Sequence, residues 1–261
     1  MDQEEALTHL KKTEKEHKIL EWFQELELEN DYLFYIGDYE DTDWSSRCVR
    51  QSDRILLLQD TSLPFSKSPS EINLLQEKQQ FKSVDLILLH KDHKKLPENT
   101  LSYLSDRHIT RHYHVALTNP STIERMSRRL IGNSLGLALG GGGAKAFAHL
   151  GVLRGLEENH LEVDMVSGTS AGSVFAALIS MGYDSKSAEK KSKELWVDKD
   201  LLSEYTIPII SLVSGKKYTE AIKDFFGEIK IEDLWIPYFA VSTDLTNSRT
   251  IIHDSGFLWK A

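Results

Sequence analysis

The sequence predicts an α/β protein: an N-terminal parallel-sheet α/β domain followed by a second α/β domain. Three observations carry this. Short apolar runs that read as strands alternate with amphipathic runs that read as helices along the whole chain. The apolar run 135–139 leads directly into Gly140, Gly141, Gly142 and Gly143. A second apolar run, 163–166, leads into Gly168-Thr169-Ser170-Ala171-Gly172, a G-x-S-x-G turn where strand gives way to helix.

The elements follow in order. Residues 1–30 read as a helix, with Ile19, Leu20, Phe23 and Leu26 as its apolar stripe and a mainly acidic, solvated face. A strand is expected over 32–36, a short helix over 44–51 and a strand over 54–58. A helix over 70–80 starts from Pro69-Ser70-Glu71. A buried strand over 84–90, a helix over 98–105, a strand over 111–116 and a helix over 120–130 complete the first half. The hydrophilic stretch 91–99 is a loop. In the second half, the strand over 135–139 precedes a helix over 144–159, with Leu150, Leu153 and Leu156 available for packing. A strand over 163–166, helices over 172–181, 185–197 and 217–226, and strands over 238–242 and 249–253 follow. A boundary over 125–133 divides the chain into residues 1–130, a domain of unassigned role, and residues 131–261.

Bulk properties exclude several classes. The 261 residues carry a formal charge of −9, with pI near 5.6. That argues against nucleic acid as a partner, because phosphate attraction needs a basic face. It also argues against broad docking on anionic lipid; Arg125, Arg128 and Arg129 form one local basic patch. Cys48 is the only cysteine, so no intramolecular disulfide forms and Cys/His zinc spacing is absent. No apolar run reaches the ~20 residues a membrane span needs. The N-terminus is acidic and lacks the order of a signal peptide, so the expected location is cytoplasmic, with peripheral membrane contact through a surface loop.

The first half shows no phosphate loop and no metal cluster. Its histidines, His90, His93, His108, His112 and His114, fall on strand ends and loops and are expected to be surface or supporting groups. The second half holds the chemistry. A serine hydroxyl needs activation, and an elbow lifts Ser170 off a strand end at a helix N-terminus, whose dipole is positive. Gly168 and Gly172 let the turn form. The amides of Gly141, Gly142 and Gly143 are candidate donors for an oxyanion. Lys145 is a candidate support for that loop or simply a solvent-facing residue. A dinucleotide turn is the competing reading, since Gly141-x-Gly143-x-x-Ala146 fits G-x-G-x-x-A. It expects an acidic residue at the end of the next strand, whereas Glu162 and Asp164 stand at its start. A P-loop fails, because Ala144-Lys145-Ala146 is not Gly-Lys-Ser/Thr.

These motifs resemble the patatin-like phospholipase family. Gly141-Gly142-Gly143-Ala144-Lys145-Ala146 is similar to its Gly-Gly-Gly-x-Arg/Lys-Gly motif, with Ala146 in place of the last glycine, and Gly168–Gly172 to its serine elbow. Ala148-His149-Leu150-Gly151-Val152-Leu153 is similar as well. Pro208, Ile231-Glu232-Asp233-Leu234, Val241-Ser242-Thr243-Asp244-Leu245 and the run from Trp44 to Asp53 resemble the bacterial neuropathy target esterase-like subgroup. The resemblance implies a patatin-like three-layer α/β hydrolase domain. It further implies hydrolysis of phospholipid or lysophospholipid acyl esters by a Ser-Asp dyad, with Ser170 as nucleophile, no metal and no cofactor. The family's aspartate lies in an Asp-Gly-Gly/Ala motif, and no Asp-Gly occurs in this chain. The tail from Ser255 to Ala261 resembles the run preceding that motif. The expectation is a domain lacking its last part, with the base absent. Asp244 and Asp254 match non-catalytic positions. The apolar stretch 201–213, with Tyr205, Ile207, Pro208, Ile209 and Leu212, is expected to pack in the core or to meet acyl chains. The alternative function is a catalytically inactive fragment serving as a protein-interaction module.

Overall fold

Two sheets, ordered β1-β2-β3 and β4-β5-β6-β7, organise the chain in a computed structural model that describes residues 17–72, 82–196 and 216–261. By internal contacts the chain divides into two compact units, Met1–Ile55 with Lys67–Lys82, and Leu56–Ser66 with Ser83–Ala261.

The first unit is organised around Phe23, which is 1% exposed. Helical residues 17–29 present its ring edge-on to Tyr35 at 5.3 Å and stacked on Trp44 at 6.3 Å. Trp44 Nε1 donates to the Ile36 carbonyl at 2.8 Å. Helix α1 (Asp43–Gln51) starts where the Thr42 hydroxyl accepts from the Ser45 N–H. It ends where the Lys82 ammonium donates to the carbonyls of Val49 and Arg50, both at 2.7 Å, a charge placed at the negative end of the helix dipole. The strand expected over 32–36 is extended chain with no ladder partner among the described residues. Its alternating Tyr32, Phe34 and Ile36 face solvent, so the period-2 pattern alone does not make a strand.

The first sheet holds β1 (Arg54–Asp60), β2 (Ser83–His90) and β3 (Arg111–Ala116). Strands β2 and β3 pair in parallel from Asp85↔Arg111 to His90↔Ala116. The near-continuous burial of β2 is that of a strand covered on both faces. Helix α2 (Thr100–Leu104) is shorter than the sequence expectation, because Asn99 takes a left-handed φ of 59° and blocks extension backwards. Helix α3 (Pro120–Leu130) has Asn119 as cap and Pro120 in its first turn.

The second sheet holds β4 (Gly136–Leu139), β5 (Met165–Gly168), β6 (Tyr238–Asp244) and β7 (Arg249–His253). β4, β5 and β6 are parallel, and β7 returns antiparallel to β6. The result is a mixed α/β architecture with parallel sheets. A 3-10 turn (Gly143–Phe147) precedes helix α4 (Ala148–Glu158), where the sequence suggested one continuous helix. The positive φ of Gly142 (152°) and Gly143 (56°) imposes the tighter start. Helix α5 (Ala171–Ser180) is buried along its whole length; α6 (Ser185–Trp196) and α7 (Lys216–Phe226) follow. Phe147, Phe175 and Trp196 pack mutually with ring centroids 5.1–5.7 Å apart. The helix expected over 70–80 is described only for its first residues, and 201–213, with Tyr205, Ile207, Pro208, Ile209 and Leu212, lies outside the described residues. Among the described residues no helix is long and apolar enough to cross a membrane.

Two polar devices hold this second unit together. The first is a latch at the start of the second sheet. Asp164 is fully buried. It accepts from Arg128 Nη2 at 2.7 Å, from Arg128 Nε at 3.0 Å and from the Leu135 N–H at 2.8 Å. The same Nη2 reaches Glu162 at 2.8 Å. Asp164 therefore ties α3 and the entry of β4 to the entry of β5, and the two carboxylates hold Arg128 firmly charged.

The second device is a histidine stack that sequence position does not reveal. His90, His93 and His114 gather around Trp235, with His112 edge-on to His114, while His108 stays exposed outside the group. His114 Nε2 donates to the Glu232 carbonyl at 2.8 Å, so its Nδ1 accepts from His90 Nε2 at 2.9 Å. His112 Nε2 donates to the same carbonyl at 3.1 Å. Burial pushes His114 well below the ordinary imidazole range and His90 down to about 4, so the stack is neutral. Among the described residues no group of side chains is arranged to hold a metal ion.

Replacing Arg128 with Met is expected to destabilise the chain by about 3–5 kcal/mol, since it strands Asp164 buried and unpaired. Urea denaturation measures this, and a change below about 1 kcal/mol would remove the latch from the stability account. The histidines give a pH signature. The unfolded chain gains protons as pH falls below about 6.5, whereas His90 in the fold resists until about 4. Stability is therefore complete above that window and declines as pH drops through it, by up to ~1.4 kcal/mol per pH unit for each neutral histidine. Urea midpoints at several pH values should show a shallower decline in His114→Gln than in the parent.

Candidate active site

Ser170 sits at the carboxyl end of β5, at the N-terminus of α5, with φ 53° and ψ −131°. A serine adopts that backbone only under compulsion, at a cost of about 1–3 kcal/mol. The compulsion comes from its neighbours. A Cβ on Gly172 would lie 2.3 Å from the Leu139 carbonyl oxygen and 2.5 Å from that of Gly140. One on Gly168 would lie 2.5 Å from the backbone of Gly172 and Ser173. Helix α5 therefore packs directly on the ends of β4 and β5, and the chain can join β5 to it only through a sharp turn.

Hydrogen bonds fix the turn. The Thr169 N–H donates to the Leu139 carbonyl at 3.1 Å, and its hydroxyl donates to the Val241 carbonyl at 3.0 Å. The Ser170 carbonyl accepts from the Ser173 N–H at 2.9 Å and from the Ser173 hydroxyl at 2.6 Å. Ser170 itself is exposed, and its hydroxyl has no hydrogen-bond partner among the described residues.

The glycine loop lies against this serine. A Cβ on Gly141 would fall 2.9 Å from Ser170 Cβ and 3.6 Å from its Oγ. Among the described residues no acceptor takes the N–H of Gly141 or Gly142, and both glycines are exposed. Free backbone donors thus stand beside an exposed hydroxyl, the arrangement an oxyanion needs. Gly143 opens the 3-10 turn that follows, closed by the Lys145 N–H on the Gly142 carbonyl at 3.1 Å. The Lys145 side chain is exposed. His149 was not singled out from sequence for a role, yet its Nε2 donates to the Gly140 carbonyl at 2.8 Å and anchors the loop to α4. A histidine at the second residue of the helix that follows a glycine run is the local signal by which sequence reasoning could find it.

The acidic residues nearby are otherwise engaged. The Asp244 carboxylate is held below the usual carboxylate range, first by the Asn247 side-chain amide at 2.8 Å, then by the N–H groups of Asn247 and Thr246 and by Arg249 Nε, all at 3.1 Å. His253 Nε2 meets the Ser242 hydroxyl at 2.7 Å. Glu162 and Asp164 are bound by Arg128 at the other end of β5.

Comparison with known proteins agrees with both halves of the chain. Residues 137–261 match the model of the patatin-like phospholipases. Residues 1–140 match that of the neuropathy target esterase family P-loop like domain, although they contain no Gly-Lys-Ser/Thr phosphate loop. The neuropathy target esterase of Drosophila melanogaster is 36% identical over 279 residues, covering 94% of this chain and 19% of that protein. That of Drosophila grimshawi is 35% identical over 282 residues, covering 95% and 19%. The chain thus spans 19% of the length of these curated relatives.

The strained serine gives a counter-intuitive expectation. Ser170→Gly should raise stability by about 1 kcal/mol, because glycine adopts this backbone freely and the relief exceeds its entropic cost. Ser170→Ala should bring no such gain. Thermal denaturation of the two variants is the check, and equal midpoints would argue that the elbow carries no strain.

Proposed function

The chain belongs to the neuropathy target esterase family and carries a patatin-like phospholipase segment, and from that premise we propose that it supplies the nucleophile and the oxyanion site of a serine acyl-ester hydrolase acting on phospholipids or lysophospholipids. The observation that carries the reading is the exposed Ser170, held on a strained elbow with Gly141 against its Cβ.

In this reading Ser170 Oγ attacks the acyl carbonyl of the ester. The amides of Gly141, Gly142 and Gly143 receive the negative charge that develops on the carbonyl oxygen, aided by the N-terminal dipole of α5. The C–O bond to the glycerol oxygen breaks, the alcohol leaves with a proton, and water then cleaves the acyl-serine. Lys145 borders the oxyanion loop as a cation on its solvent side. Gly168 and Gly172 serve the geometry of the elbow.

The base of the reading is an aspartate in an Asp-Gly pair, which residues 1–261 do not contain. The Ser-Asp dyad is complete only when that aspartate is supplied from outside these residues, and general-base assistance contributes about 10²–10⁴-fold. The lipid substrate is met by peripheral contact with a membrane surface rather than by insertion. No cofactor, metal or nucleic acid enters the reaction.

A fluorophosphonate probe tests the assignment on the 261-residue chain. The expected result is slow labelling at Ser170, lost in Ser170→Ala and in urea, since an oxyanion site without its base retains about 10³–10⁴-fold over water. Labelling that survives unfolding, or that maps to another residue, would overturn the enzyme reading in favour of a non-catalytic interaction module.

A further inference from the structure

A cavity of about 280 Å³ lies in the second unit, among α3, β3 and the segment Ile231–Asp254, and none of its lining residues belongs to the elbow or the glycine loop. Three guanidinium groups line it, those of Arg111, Arg125 and Arg129. Among the described residues none of the three has a carboxylate within salt-bridge distance.

Arg125 is the telling case. Its Nε donates to the Val163 carbonyl at 3.3 Å, while its Nη1 is buried and has no partner. Glu162 and Asp164, whose charge Arg125 feels, are already bound by Arg128. Arg129 sits 4.9 Å over the Tyr113 ring, which stabilises its charge without using its N–H donors. Two carboxylates also face the cavity. Glu232 takes the Gly256 N–H on both oxygens, each at 3.1 Å, and Asp254 is exposed. Burial keeps the neighbouring His112 and His114 neutral, and the Glu232 carbonyl accepts from the Nε2–H of each. The inner wall therefore holds one buried guanidinium donor without a partner, Arg125 Nη1, beside Arg129, whose charge the buried Asp85 also feels. Leaving a buried guanidinium donor unpaired is costly.

We propose that this cavity binds a small phosphate-bearing anion through Arg125 and Arg129, with Arg111 at the mouth. Planar guanidinium groups match phosphate oxygens by paired N–H donors. Trp235, Tyr238 and Met126 add an apolar wall suited to a short organic group beside the phosphate. The volume falls at the small end of ligand sites, which run to roughly 300–1,000 Å³, so a headgroup-sized molecule fits and a whole lipid does not. The shared chemistry has two sources, a free phosphate ion or a glycerol phosphate of the kind a lipid headgroup carries. The site is independent of Ser170 and stands or falls apart from the hydrolase reading.

Calorimetric titration of the 261-residue chain with inorganic phosphate and with glycerol 3-phosphate, at low ionic strength, is the test. One-to-one binding of at least one of them is expected. Arg125→Met and Arg129→Met should each weaken it about tenfold or more, the loss of a charge-assisted hydrogen bond. Arg111→Glu, at an exposed position where folding is not in question, should weaken it measurably as well. Tighter binding of glycerol 3-phosphate supports the headgroup source, and equal binding supports free phosphate. Failure of both to bind, or binding indifferent to Arg111→Glu, would overturn the proposal.

Discussion

Helix α5 begins on top of two strand ends, and it can do so only because no side chain intervenes at Gly168 and Gly172. Everything at the candidate site follows from that approach. With Gly172 held against the carbonyls of Leu139 and Gly140, β5 has only Thr169 and Ser170 in which to turn into the helix. Ser170 takes the strain, at φ 53° with its side chain outward. The same crowding brings the chain leaving β4 past the serine, so any side chain at Gly141 would strike the Ser170 Cβ. The reactive geometry is a by-product of packing a helix N-terminus harder than side chains normally allow, and the strain is supported by the fully buried apolar length of α5.

The opposite end of β5 is governed by charge instead of sterics. Asp164 has no access to water, so its negative charge is tolerated only because Arg128 and the Leu135 N–H saturate it. This fixes where β4 and β5 start relative to each other. Register set there propagates along four-residue strands to the glycine loop and the elbow. A slip of one residue would reverse the faces of both strands, so the latch and the elbow are two ends of one positioning device. The latch also gives a structural role to Glu162 and Asp164, whose place at the start of the strand counted against the dinucleotide reading.

Some of this was legible in the sequence and some was not. The elbow and the glycine loop were readable because sterics dictate their residues: close approach demands glycine wherever it occurs, and it leaves a local trace. The parallel strands β2 and β3 were readable from burial, since both faces are covered. The histidine stack was not. It assembles from three segments, around His90, His112 and Glu232, and no local pattern records that juxtaposition. The strand expected over 32–36 had the right alternation but has no neighbouring strand among the described residues, and pairing is a tertiary fact. The helix expected from Ala144 was delayed because Gly142 and Gly143 take left-handed values that only the loop's own geometry requires. Asn99 shortened α2 for the same reason.

The basic run on α3 shows why composition alone could not assign a role. Arg125, Arg128 and Arg129 lie within about one turn of helix, and read as a list they form one patch. The fold separates them. Arg128 points to Glu162 and Asp164, and both carboxylates pair with its charge. Arg125 and Arg129, three residues before it and one after, line the cavity, and among the described residues neither has a carboxylate within salt-bridge distance. Arg128 consumes the two acidic residues that would otherwise quench Arg125. The latch that aligns the strands is thus also what leaves the cavity positive. One helix face serves two purposes, and the separation between a structural cation and a binding cation is set by which of them reaches Asp164 first.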